Sequence, residues 1–332
     1  MTQPVVPVTL LFSDGGSQRL QVPCGGRLID SAVEAGLNLL IDCSNGQCGT
    51  CTAQLVSGAI EMDDYDRAVL PDGDRAAGAL LPCVCRVSSP CAIELPYDSS
   101  EAMGDEPPPI VAEVTGVEKV AHEIMRLEVE VPDALAFEPG QYVRITPAGA
   151  GFHRSYSMAN VPGTNRLQFF VRLVEGGAFS QWLANAATGD MLELSVPHGT
   201  FFLRHEDRPR LFVAGGTGVA PFLSMLRSLA AQPSPQRTTL VVGARTPGHL
   251  FALEELRLLG TALEGMNLQI AIEHDAQPGF HAGYPTDLIP QLGLDPATRI
   301  YLCGPPPMVE AGRRAAEAAG LAKADVLCER FA

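Results

Sequence analysis

The sequence predicts a multidomain chain: a small α+β unit, then an antiparallel β-barrel, then a doubly wound parallel α/β sheet. Three observations carry this. Seven of the nine cysteines fall before residue 92. An acidic and then proline-rich stretch, residues 99–109, separates that region from the rest. Beyond it, short strands punctuated by Gly and Pro give way near residue 207 to strands alternating with helices, the pattern of a parallel sheet covered by helices. A length of 332 residues leaves room for two or three such domains.

Composition narrows the function classes. Hydrophobic residues make up 46% and charged residues 18%, enough apolar content to form packed cores. No stretch approaches the ~18 continuous apolar residues of a membrane helix, and the first residues lack a secretory pattern, so a reducing cytoplasm is expected. There, thiols serve more often as metal ligands or catalytic groups than as disulfides. The net charge of −15 argues against nucleic acid or an anionic membrane surface as partner. It is unevenly spread: residues 1–103 hold 13 Asp+Glu against five Arg and no Lys, a net of −8.

In residues 1–98, Val5 to Phe12 reads as a strand, Asp14-Gly15-Gly16 as a turn and Arg19 to Val22 as the hairpin partner. Leu28 to Ala35 has helical apolar spacing and stops at Gly36. Then comes Cys43-Ser44-Asn45-Gly46-Gln47-Cys48-Gly49-Thr50-Cys51, with Cys83 following after 31 further residues. This C-x4-C-x2-C spacing with a distant fourth cysteine is that of plant-type [2Fe–2S] ferredoxins. Three ligands on one short loop force the backbone to curl around two irons. Gly46 and Gly49 remove the Cβ atoms that would block the curl and let N–H groups approach the sulfurs. Cys83 is the preferred fourth ligand; Cys85 competes, because strand alternation would place both on one face. Cys24, Cys85 and Cys91 are expected as small buried hydrophobes. Zinc fits less well, since its structural sites favour paired C-x2-C knuckles. Residues 99–109 are expected to be linker, with a stiff proline end.

The second domain, 110–206, has candidate strands at Ile110 to Val117, Ile124 to Val131, Tyr142 to Thr146, Leu167 to Val174 and Met191 to Val196, and one helix at Phe179 to Ala187. Two motifs stand in it. Arg154-Ser155-Tyr156-Ser157 offers a permanent bidentate cation suited to phosphate and an aromatic face; taken alone, it also reads as an ordinary strand with an exposed Arg and a core Tyr. Val171-Arg172 is followed by Gly177-Ala178-Phe179-Ser180, where a helix N-terminus opens with small residues, a ready anion site.

The third domain, 207–332, alternates strands (Arg210 to Ala214, Thr239 to Gly243, Leu268 to Glu273, Arg299 to Leu302) with helices at Phe222 to Ala231, Leu250 to Leu259 and a last one ending at Ala319. Two loops lie at the carboxyl ends of strands, where such sheets bind ligands. Gly215-Gly216-Thr217-Gly218 lets backbone N–H groups approach a pyrophosphate. Cys303-Gly304-Pro305-Pro306-Pro307-Met308 is the second.

Together the cysteine set, Arg154-Ser155-Tyr156-Ser157 and the loops at 215–221 and 303–308, in this order, resemble the iron–sulfur flavoprotein reductases that serve bacterial ring-hydroxylating dioxygenases and soluble monooxygenases, within the ferredoxin–NADP reductase superfamily. The resemblance spans essentially the whole chain. It implies a β-grasp-like ferredoxin domain with Cys43, Cys48, Cys51 and Cys83 on a [2Fe–2S] cluster, an FAD-binding barrel and an NAD domain. By the same resemblance Arg154 holds the flavin pyrophosphate, Tyr156 packs on the isoalloxazine and Ser157 hydrogen-bonds near N5. Arg172 and the 177–180 helix start complete that cradle. Gly215 to Gly218, with Gly304, Pro305 and Met308, receive NADH, Cys303 sits beside the nicotinamide, and Glu329 and Phe331 form an acidic–aromatic end near the flavin. No side chain is required as general acid or base, so His198, His249, His274 and His281 are expected to be structural. Between coenzymes, Arg245 could serve a 2′-phosphate, but Glu273-His274-Asp275 ends the third strand with two carboxylates and favours NADH.

The implied activity is electron transfer from NADH through FAD and the cluster to a terminal oxygenase or an intermediate ferredoxin, which docks on the acidic first domain. A monomer suits such a shuttle. Other acceptors, a deoxysugar dehydratase or a cytochrome P450, keep the same electron chain. A redox-sensing subunit would need a defective nicotinamide site, and both nucleotide loops are intact.

Overall fold

In a computed structural model, residues 4–103, 108–231 and 236–331 are described. The chain falls into two compact units, residues 1–106 with 329–332, and residues 107–328.

The first unit opens with the hairpin β1 (Val5–Leu11) and β2 (Ser17–Pro23), paired from Val5↔Pro23 to Leu11↔Ser17. Val6, Val8 and Leu10 are buried while their neighbours are not, the period of two that a half-buried strand requires. After β3 (Gly26–Arg27) comes α1 (Leu28–Glu34), which buries Leu28, Ser31 and Ala32. It ends in a Schellman motif: Gly36, at φ 75°, donates to Val33 O and Leu37 donates to Ala32 O. Then follow β4 (Ala53–Ser57), β5 (Glu61–Met62), α2 (Asp72–Ala76), β6 (Ala79–Leu80), β7 (Cys85–Val87), β8 (Cys91–Glu94) and α3 (Ser99–Met103). The main sheet runs β2-β1-β8-β4-β6, with β1 and β8 parallel, and β3-β7-β5 form a small second sheet. The run Cys85 to Leu95, which reads as one strand in the sequence, is two strands belonging to different sheets. Residues 99–103, expected as linker, are helical, with Ala102 buried and its carbonyl accepting from Asn38 N. The rest of the expected linker at 104–107 lies outside the described residues.

The second unit holds both remaining folds. Strands β9 (Ile110–Ala121), β10 (Ile124–Leu135), β11 (Tyr142–Pro147), β12 (Arg154–Ser157), β13 (Thr164–Arg172) and β14 (Met191–Leu194) form one antiparallel sheet ordered β12-β11-β14-β9-β10-β13. Its core includes Val114, Leu127, Val143, Phe169 and Leu192. The helix α4 (Ala178–Leu183) caps it and ends four residues sooner than expected.

From residue 210, β15 (Arg210–Gly215), α5 (Val219–Ala231), β16 (Thr238–Ala244), α6 (Leu253–Ala262), β17 (Asn267–Ile272), β18 (His281–Ala282), β19 (Arg299–Gly304), α7 (Pro306–Ala318) and β20 (Val326–Arg330) follow. The sheet order is β18-β17-β16-β15-β19-β20, with parallel pairing from β18 to β19. Strand order reverses between β15 and β19, the switch point at which doubly wound sheets bind ligands. Arg227 of α5 ties this sheet to the barrel: it forms a bidentate pair with Glu255 at 2.7 and 3.0 Å and donates to Ala159 O at 2.6 Å. Phe170 and Phe251 stack across the same seam at 4.6 Å.

Candidate functional site

The cysteine loop of the first unit is curled by left-handed residues. Ser44, Gly46 and Gly49 have φ of 58°, 75° and 78°. A Cβ on Gly46 would stand 2.6 Å from Tyr65 Cβ, so the loop fits against Tyr65 only with glycine there. The curl turns backbone donors inward: Gln47 N and Cys48 N donate to Cys43 Sγ at 3.3 and 3.4 Å. Thiols of Cys48 and Cys83 also hydrogen-bond Cys43 and hold it below the usual thiol range. The same contact with Cys43 pushes Cys48 up, and contacts with Cys43 and Cys51 push Cys83 up. All four sulfurs are therefore within hydrogen-bonding reach of one another in a chain of contacts. Sulfur ligands gathered around inward N–H groups fit a [2Fe–2S] cluster.

Cys83 occupies the 3₁₀ turn Pro82–Val84, just before β7, and its sulfur faces Cys43 and Cys51. Cys85 instead donates its thiol to Leu81 O at 3.3 Å, and burial pushes its pKa up. It behaves, with Cys91, as a buried core thiol. Cys24 does not: it is exposed, because β2 has ended and Gly25 turns the chain. One residue escaped the sequence reading. Arg27 donates to Cys83 O at 2.7 Å and to Ser44 O at 3.4 Å, pinning the distant fourth cysteine to the loop. Nothing in the sequence around Arg27 marks it, since its partner is 56 residues away.

In the barrel, β12 pairs with β11 in the register Tyr142↔Ser157 to Ile145↔Arg154. Arg154 is exposed, Ser155, Tyr156 and Ser157 half-buried. Tyr156 packs on Phe179 at 4.8 Å, and burial raises its phenol pKa, so the ring presents a neutral apolar face. Arg172 ends β13 and is exposed, while the Val171 side chain lies in the core. Gly177 precedes α4, Ala178 begins it, and the Phe179 side chain is buried under the barrel. Ser180 Oγ accepts from Val174 N at 2.8 Å, which fixes the loop between Arg172 and the helix. Two exposed guanidinium groups, a neutral aromatic face and small residues at a helix start fit the charge and shape of a flavin nucleotide.

At the switch point the two expected loops interlock. Gly216 takes φ 55°, and the turn Gly216–Gly218 leads directly into α5. A Cβ on Gly215 would meet Met308 Sδ at 2.6 Å and Pro305 Cδ at 3.0 Å; one on Gly304 would meet Met308 Cε at 2.8 Å. Thr217 and Gly218 sit in the same turn. Cys303, in register with Ala214, is fully buried at the end of β19. Close backbone approach at a helix N-terminus fits a dinucleotide pyrophosphate. Glu329 and Phe331 are half-buried and fall in the first unit.

Comparison with known proteins finds three domains along the chain. The 2Fe-2S iron-sulfur cluster binding domain matches residues 11–88, the oxidoreductase FAD-binding domain 111–203 and the oxidoreductase NAD-binding domain 212–314. The chain is 33% identical to the anthranilate 1,2-dioxygenase electron transfer component of Acinetobacter baylyi, over 98% of this chain and 96% of that one. The chain belongs to the ferredoxin-reductase-type iron–sulfur flavoproteins. Within this family it is also 31% identical to the reductase component of propane 2-monooxygenase from Rhodococcus jostii, covering 92% of this chain and 86% of that one. Among solved structures it resembles a cytochrome P450 reductase of Amycolatopsis (TM-score 0.72, 28% identity, 98% of both chains). The ferredoxin reductase of carbazole 1,9a-dioxygenase shares its fold (TM-score 0.69, 24% identity, all of both chains). This flavoprotein is an oxidoreductase that carries electrons between NADH, FAD and a [2Fe–2S] centre.

Proposed function

We propose that this reductase delivers electrons from NADH to the terminal oxygenase of a ring-hydroxylating dioxygenase or monooxygenase system, directly or through an intermediate ferredoxin. The observation that carries the reading is the presence of all three cradles in one chain whose relatives, matched over nearly their full length, are electron transfer components of such oxygenases. Bound flavin supplies the chemistry that connects a two-electron hydride donor to a one-electron cluster.

The residues of this chain bind and orient. Arg154 and Arg172 would neutralise the flavin pyrophosphate, with N–H groups of Gly177 to Ser180 as further donors. Tyr156, held by Phe179, would support the isoalloxazine, and the Ser157 hydroxyl would hydrogen-bond at its N5 edge. Gly215 to Gly218 would receive the dinucleotide pyrophosphate. Cys303, with Gly304, Pro305 and Met308, would form the wall against the nicotinamide. Its burial keeps water from that wall.

The preference for NADH has support in the charges after β16. Arg245, the cation that could meet a 2′-phosphate, lies 3.6 Å from Glu123 Oε2 and 3.3 Å from His249 Nε2. His274 N donates to Arg245 O, which brings Glu273 and Asp275 beside it. A 2′-phosphate there would meet an Arg245 already paired with Glu123, beside a segment that carries two further carboxylates. Steady-state turnover with each coenzyme tests this: kcat/KM for NADH should exceed that for NADPH by at least tenfold, and equal values would refute it.

A cytochrome P450 as acceptor is the second reading, favoured by the full-length likeness to the Amycolatopsis P450 reductase. Oxidation of the reduced protein by a purified Rieske-type oxygenase, set against a P450, decides between them. Faster transfer to the P450 would favour the second.

A further inference from the structure

Outside the cofactor cradles, one cluster of ligating side chains lies where the barrel meets the nucleotide sheet. The turn from β9 to β10 carries His122 and Glu123, with Glu123 at φ 59°. The loop after β16 carries Arg245, Thr246 and His249. Backbone fixes the two segments together, His122 N donating to Gly248 O at 2.8 Å. His122 Nε2 is 3.7 Å from Glu123 Oε1, and His249 Nε2 is 3.8 Å from Glu123 Oε2. The three ligand atoms all lie within 4.8 Å of one another. A tetrahedral zinc ion with N and O ligands at ~2.0–2.2 Å separates those atoms by roughly 3.3–3.5 Å, so small side-chain rotations close the site.

The orientation of His249 is a second, separate observation. Its Nδ1 lies 2.8 Å from Thr246 Oγ1, which leaves Nε2 facing Arg245 Nη2 at 3.3 Å and Glu123 Oε2 at 3.8 Å. Metal-bound histidines are characteristically fixed in this way through the other ring nitrogen.

We propose that His122, Glu123 and His249 form a binding site for a divalent transition-metal cation of the zinc type, which clips the flavin-barrel turn to the nucleotide sheet. Two imidazoles and one carboxylate select a borderline cation over Mg²⁺ or Ca²⁺, and the fourth position remains for water. Arg245 Nη2 occupies the neighbouring space, 3.3 Å from His249 Nε2 and 3.6 Å from Glu123 Oε2. In the metal-free protein its charge stands where the cation would act. Its side chain is 56% exposed, so it can swing into solvent when the metal binds. Arg172 adds a second positive field at His249, so metal and arginines compete.

The test uses holoprotein with cluster and flavin assembled, so that the four cluster thiols are occupied. Calorimetric titration with ZnCl₂ should show a site in the wild type. His122→Ala, at a largely exposed position, should weaken binding at least tenfold without changing flavin content or circular dichroism. Thr246→Val should weaken it roughly tenfold by releasing His249, and Arg245→Gln should tighten it. Cu²⁺ bound to the oxidised protein should show nitrogen hyperfine coupling from two imidazoles in its electron paramagnetic resonance spectrum. Absence of binding in the wild type would overturn the proposal. So would unchanged affinity in both His122→Ala and Thr246→Val, or a copper signal without nitrogen coupling.

Discussion

Replacing Gly46 by alanine should dislodge the cluster loop. Gly46 holds φ at 75°, and its Cβ would stand 2.6 Å from Tyr65 Cβ and 3.1 Å from Tyr65 Cα. The second contact is with backbone, so no rotamer change relieves it. A non-glycine residue pays about 1–2 kcal/mol for the left-handed conformation, and overpacking adds about 1–3 kcal/mol. The sum is about 2–5 kcal/mol within the first unit. Moving the loop to escape Tyr65 also withdraws the Gly46 N–H from the Cys83 sulfur, which it holds. Gly15 provides the control: its φ is 82° and a Cβ there meets nothing within 4 Å. Gly15→Ala therefore carries the backbone cost alone. Iron and sulfide per chain, and thermal bleaching of the visible cluster absorbance, read the difference. Gly46→Ala should lose cluster during purification or bleach about 4–24 °C below Gly15→Ala, the overpacking of about 1–3 kcal/mol taken at ~4–8 °C per kcal/mol for a unit of this size. Equal cluster content and coincident bleaching curves in the two variants would refute the reasoning.

Three further outcomes follow from the geometry. Cys83→Ser should abolish cluster binding, whereas Cys85→Ser should retain full iron content, because Cys85 donates to Leu81 O instead of facing the other sulfurs; iron analysis of the two variants checks this. Glu206 is bound bidentately by Arg299 at 2.7 and 3.0 Å, and this pairing depresses its pKa. Its stabilisation, about 1.5–3 kcal/mol, is present above the unfolded carboxylate value near ~4.3 and is lost as pH falls through the folded value. Glu206→Gln should therefore melt lower than wild type at neutral pH, with the gap vanishing in acid, in melts recorded across that range. Finally, the first 103 residues carry a net −8. If that face steers a basic acceptor, electron delivery should slow as salt rises through ~0.1–0.5 M, where screening falls below ~10 Å; a flat stopped-flow profile would count against docking through this domain.

Much of the fold was legible because its elements are locally consistent. The alternation of Val6, Val8 and Leu10 marks β1, and Gly36 ends α1 with the left-handed turn a helix end favours. Strand–turn–helix punctuation located both nucleotide loops. What escaped depended on distant partners. The helix Ser99–Met103 reads as linker from composition, yet Asp14, 85 residues earlier, accepts from both Ser99 N and Ser99 Oγ and anchors its start. Arg27 acquires its role only when Cys83 folds over it. A 3₁₀ turn, which alternation did not supply, sets Cys83 facing Cys43 and Cys51, while Cys85 begins β7 and donates to Leu81 O. In the two barrel motifs the sequence did not show which side chains face inward. Val171 and Phe179 face the core, leaving Arg154, Tyr156 and Arg172 as the side chains that can meet a ligand.

Anaerobic titration of the purified protein with NADH, followed by absorbance and electron paramagnetic resonance, tests the central claim most directly. Flavin absorbance should bleach and the signal of a reduced [2Fe–2S] cluster should appear in the wild type. In Cys83→Ser, the flavin should still bleach and the cluster signal should be missing. Failure of NADH to reduce the flavin, or absence of the cluster signal in the wild type, would contradict the account.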